Sequence, residues 1–107
     1  MPREDRRIIF SQDEVYKAIY ALSVQKQLPK PPPGAVTSVK EKDSDTSQIV
    51  LTLENPADQS IEIREYARDF LAAALMMFCR GAGIPLPKSA KKSVLINDGE
   101  IILRAQI

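Results

Sequence analysis

The sequence predicts an α+β fold: a small antiparallel β-sheet with two α-helices packed against it, in the order helix, three strands, helix, C-terminal β-hairpin. Three observations carry this reading. Ser11-Gln12-Asp13-Glu14 has the S-x-x-E form of a capping box and is followed by apolar residues at helical spacing. From Ala35 to Arg64 the apolar residues recur with period two. Near the end, Asp98-Gly99 lies between Val94-Leu95-Ile96 and Ile101-Ile102-Leu103, the pattern of a tight hairpin.

Arg7-Ile8-Ile9-Phe10 is long enough for a short strand, but its stronger role is to lead into the first helix, with Phe10 and Val15 as the two halves of a hydrophobic staple. Val15, Ala18, Ile19 and Leu22 then form one inward face, and Asp13 and Lys17 an i,i+4 pair. The helix must stop near Gln27, because Leu28 precedes Pro29 and the α region is disfavoured before proline. Pro29-Lys30-Pro31-Pro32-Pro33-Gly34 has few backbone donors and a polyproline II bias. Lying between ordered elements, it reads as a stiff connector in preference to a ligand for a proline-binding partner.

Val36 and Val39 mark a first strand, Ile49, Leu51 and Leu53 a second, and Ile61 and Ile63 suggest a third, although Ile63 is also in helical register with Ala67, Phe70 and Ala74, which leaves open a start of the second helix several residues earlier. The polar stretch Lys42 to Ser47 and the Asn55-Pro56 reversal separate them. The second helix is expected from about Glu65 to Arg80, with Glu65, Arg68 and Asp69 outward. From Leu71 to Cys79 it has no polar face, which predicts burial all round. Arg80 suits the negative end of the macrodipole, and Gly81 supplies the stop. In the closing hairpin, a two-residue turn at Asp98-Gly99 pairs Ile96 with Ile101 and Val94 with Leu103, and leaves Leu95 with Ile102 on the other face.

With 107 residues the chain is one domain's worth, residues 1-107, and surface scaling buries roughly 65% of the extended surface. Fifteen basic and fourteen acidic residues give +1, so bulk charge argues for neither a nucleic-acid nor a membrane binder. Histidine is absent and cysteine occurs once, which excludes histidine-based triads, zinc sites built on histidine or paired cysteine, and any disulfide within the chain. The N-terminal stretch has no signal-peptide h-region, and the longest uncharged apolar run, Phe70 to Cys79, is about half a membrane span. The expected location is cytoplasmic, with no membrane partner.

Candidate chemistry is sparse, and neither a catalytic residue nor a cofactor or metal ligand is assigned. Cys79, at the C-terminal end of an apolar helix, reads as a buried structural thiol. Glu41, Asp43 and Asp45 lack the spacing of a calcium loop, and Asp58, Glu62, Glu65 and Asp69 form no recognisable constellation. Gly81-Ala82-Gly83 follows a helix, whereas a dinucleotide turn must follow a strand. Arg80, Lys88, Lys91 and Lys92 make residues 80–92 the densest positive segment. They are the candidate anion or nucleic-acid contacts, set against a simpler role as a solvated loop guarding an aggregation-prone hairpin.

The order helix, three strands, helix over about residues 11–80 resembles the double-stranded RNA-binding domain. Where that family carries a lysine-rich run at the start of its second helix, this chain has Glu65-Tyr66-Ala67-Arg68-Asp69, so the resemblance carries over no functional residue. The functional expectation comes instead from the surplus of apolar surface on the second helix and the hairpin. It is a non-enzymatic protein–protein interaction module, a homodimer, with Ala74, Met77, Leu95 and Ile102 at the interface; the other way to bury the surplus is a second helix sandwiched between the sheet and the first helix. On that expectation Ala74→Glu or Leu95→Asp breaks the assembly without necessarily unfolding the subunit. The alternative is RNA or DNA binding through the basic segment 80–92.

Overall fold

The computed structural model describes residues 3–107. Among these, the elements are β1 (Asp5–Phe10), α1 (Gln12–Gln25), β2 (Ala35–Lys42), β3 (Asp45–Asn55), β4 (Ser60–Ala67), α2 (Arg68–Gly81), β5 (Lys91–Asn97) and β6 (Glu100–Gln106). The fold is α+β, with two three-stranded antiparallel sheets, β1-β6-β5 and β2-β3-β4, in place of one small sheet. The difference arises at the N-terminus. Arg7-Ile8-Ile9-Phe10 is part of a full strand that pairs with β6 from Asp5↔Gln106 to Phe10↔Ile101, so the hairpin gains a third strand.

The capping box forms in both directions. Glu14 N–H donates to Ser11 Oγ at 3.1 Å, and Ser11 N–H donates to Glu14 Oε1 at 2.8 Å. The helix α1 ends in a Schellman motif, with Leu28 N–H on the Ser23 carbonyl at 2.9 Å and Gln27 in the left-handed region at φ 58°. The proline-rich segment is tied back to this helix. The Tyr16 hydroxyl donates to the Pro32 carbonyl at 3.1 Å and the Lys30 ammonium lies 5.7 Å from the centroid of the Tyr20 ring, as befits a connector.

In β2, a register irregularity between Val36 and Ser38 explains why Val36 and Val39, an odd number of residues apart, both face the core. The β3–β4 register, by contrast, runs unbroken from Gln48↔Ala67 to Asn55↔Ser60. Glu65 and Tyr66 therefore belong to the strand, and α2 begins at Arg68, three residues later than the helical spacing suggests. Arg68 does not face outward. Its guanidinium donates to the Val94 carbonyl of β5 at 3.1 Å and pairs with Glu41 of β2, linking the two sheets at the first turn of α2.

Leu71, Ala74, Leu75 and Cys79 form the buried stripe of α2, while Phe70, Met76, Met77 and Phe78 are half-buried. The helix is thus not covered all round, because α1 and the sheets enclose one side of it. It closes with Ile84 N–H on the Cys79 carbonyl at 2.8 Å and Gly83 at φ 74°; Gly81, the expected stop, is still helical. The β5–β6 turn is as expected, with Asp98 at φ 51°, Gly99 at φ 80°, and Ile96 opposite Ile101. One buried cluster joins Phe10, Ile19, Val39, Leu51, Leu75, Val94 and Leu103, and among the described strands only β4 contributes no buried residue to it.

Candidate functional site

Two surfaces stand out, and both follow from strand register. In the sheet β1-β6-β5, the row Arg6↔Ala105↔Lys92 lies on the face that also carries Val94, Leu103 and Phe10, which is the core face. Lys91, one position earlier, falls on the opposite face. Adjacent lysines are therefore separated by the alternation of the strand.

At this end of the core face, the last turn of α2, the connector after it and the start of β5 enclose an open cleft of about 590 Å³. Met76, Ile84, Pro85 and Leu86 give it an apolar lining, and Arg80, Lys88 and Lys92 bring three cations to it. Three of the four basic residues singled out in the sequence are thus brought together, and Lys91 is exposed elsewhere. The cleft wall is held by specific bonds. Arg6 donates to the Pro85 carbonyl at 2.9 Å, Ala90 N–H donates to the Pro87 carbonyl at 3.2 Å, and the Schellman bond fixes Ile84. Among the described residues, none of Arg80, Lys88 and Lys92 is in an ion pair, and no carboxylate lines the cleft. The sequence signal for the cations was their density; Ile84 and Leu86 gave none, since isolated apolar residues in a proline-flanked loop have no period.

The second surface is the open face of β2-β3-β4. Ile49, Leu51 and Leu53 point to the core, and their β4 partners on that face are Tyr66, Arg64 and Glu62. The isoleucines fall on the other side. Ile61 and Ile63 are 64% and 62% exposed, on a strand whose far edge carries no further strand among the described residues. On the core side Glu62 and Arg64 form an ion pair at 2.7 Å, and Tyr66 stacks on Phe70 with ring centroids 5.8 Å apart.

The residues expected at a subunit interface are placed differently. Ala74 is 0% exposed and Ile102 is buried, both within the chain itself, so neither has surface to offer a partner; Met77 and Leu95 are half-covered. The physical reason is that Ala74 belongs to the core cluster, on the side of α2 that α1 and the sheets enclose, and that Ile102 lies on the central strand between Ile9 and Leu95.

The remaining candidates form structural contacts. Cys79 is fully buried, and that burial pushes its thiol pKa up, away from the reactive thiolate. The acids of the β2–β4 sheet are spread among ion pairs and turns. Lys42 meets Glu65 at 2.8 Å, and hydrogen bonds from Ser47 and Ser60 hold the Asp45 and Asp58 carboxyls below their ordinary range. Among the described residues, no group of three His, Cys, Asp or Glu side chains is placed to hold a metal ion, and no helix is long and apolar enough to cross a membrane. No family model, curated protein or solved structure matches the chain.

Proposed function

We propose that the chain is a non-enzymatic interaction module that pairs with a second copy of itself through the edge of β4. The observation that carries this reading is the placement of Ile61 and Ile63, well exposed on an unpaired edge strand. Natural sheets usually blunt such edges with bulges, lysines or proline. The opposite edge, β2, has two register irregularities and carries Lys40 and Lys42, whereas β4 has neither a bulge nor a lysine, and the charges it turns inward, Glu62 and Arg64, neutralise each other as an ion pair.

The sequence of β4 is self-complementary in one antiparallel register. Centred on Ile63, it sets Ile63 against its own copy and each Glu62 against the Arg64 of the other chain. A register centred on Glu62 would instead set like charges face to face. The same pairing continues β2-β3-β4 into a six-stranded sheet, in which the two copies of Ile63 meet and each Ile61 lies opposite the Glu65 of the other chain. We place the module in the cytoplasm, where the single free thiol, Cys79, stays reduced.

Sedimentation velocity tests the pairing. The wild-type chain is expected to sediment as a dimer and Ile63→Lys as a folded monomer with unchanged circular dichroism. A wild-type chain that stays monomeric at high micromolar concentration, or an Ile63→Lys variant that remains dimeric, overturns it.

A further inference from the structure

The cleft at the C-terminal end of α2 is not used by β4 pairing. Its size, about 590 Å³, is that of a small-molecule site. Its chemistry is divided between two parts, with Met76, Ile84 and Leu86 offering apolar surface and Arg80, Lys88 and Lys92 offering positive charge. We propose that it binds a small amphiphilic anion, a medium-chain aliphatic carboxylate, with the chain on the apolar residues and the head group among the cations.

Charge complementarity selects the anion. Among the described residues, three cations converge on a space that no carboxylate lines, and Lys92 makes one hydrogen bond, to the Ala90 carbonyl at 3.3 Å, which leaves it donors to spare. Arg80 presents the planar fork that suits a carboxylate. An aliphatic tail is selected by the lining, which includes an adaptable methionine and no aromatic side chain. That absence argues against single-stranded nucleic acid, whose bases need stacking platforms. The cleft is pre-formed, because the bonds from Arg6 to the Pro85 carbonyl and from Ile84 to the Cys79 carbonyl fix its wall.

Amide NMR titration of the full chain with sodium decanoate, below its aggregation concentration, tests this. Saturable shifts are expected at Gly83, Ile84 and Lys92, with acetate and decanol each binding at least tenfold more weakly. The double variant Lys88→Gln, Lys92→Gln, both at solvent-accessible positions, should lose at least tenfold in affinity with its spectrum elsewhere unchanged. Absence of saturable shifts at the cleft, equal affinity in the double variant, or displacement of decanoate by a short single-stranded RNA overturns the proposal. Since the cleft draws on no residue of β4, the outcome is read separately from the oligomeric state.

Discussion

Gly34 sits where the proline-rich connector delivers the chain into β2, and its backbone passes directly against β3. Its φ is +142°, and a Cβ there would lie 2.8 Å from the Glu54 carbonyl oxygen. Both the backbone conformation and the contact require glycine, since the neighbour is main chain and cannot turn aside. Gly34→Ala is expected to destabilise the fold by about 1–3 kcal/mol, read as a lower denaturant midpoint with an unchanged slope. Pro33-Gly34 was legible in the sequence as a connector, but the reason for the glycine was not, because Glu54 lies twenty positions away and only the β2–β3 pairing brings it near. Ser11 and Glu14 are the opposite case. Their reciprocal bonds span three residues, so the local sequence contains the whole interaction.

At the scale of elements, what decided legibility was whether a pattern names a side as well as a period. Ile61 and Ile63 suggested a strand, but Glu65–Ala67 read as helix, and alternation could not say whether isoleucine or the Glu62–Arg64 pair would face the core; the register with β3 made both choices. The Asp98-Gly99 hairpin was readable in full because turn geometry fixes register locally. For α2 the composition overstated the burial, since a helix with no polar face can still have one flank that its neighbours leave half-covered. Ala74 lies on the covered flank. Ala74→Glu is therefore expected to unfold the chain, at a cost of at least about 3 kcal/mol for a buried unpaired charge, and not to release a folded monomer. Thermal melts by circular dichroism check this, and a folded Ala74→Glu monomer would be the contrary result.

At the scale of the whole molecule, the described residues extend 54 × 29 × 20 Å with a radius of gyration of 14.3 Å, somewhat larger than the roughly 13 Å of a compact chain this long. An elongated body leaves more sheet surface uncovered. The open face and edge of β2-β3-β4 follow from that shape as much as from sequence. The cleft was legible only in its charges, because its apolar lining comes from α2 and the connector, while Lys92 reaches it by strand alternation. The pairing of β1 with β6 was missed for the same reason that makes it consequential. Arg104 bonds Asp5 through both its Nε and Nη2, at 3.0 and 2.8 Å, across 99 positions of sequence, and holds the Asp5 carboxyl below its ordinary range.

That clasp sets an order of assembly. The meander β2-β3-β4 closes through two short reversals and can form as soon as its own residues are available, whereas β1 must wait for β6, which follows every other described element. On a ribosome, Asp5–Phe10 would therefore have its strand edges unsatisfied until Glu100–Gln106 has emerged, a period in which helpers that hold unpaired strands could act on it. Pulse-labelled hydrogen exchange during refolding should show amides of β3 protected before those of β1 and β6, and simultaneous protection would show that the two sheets form in one step. The later strand, β6, is in this sense what completes the earlier one, β1.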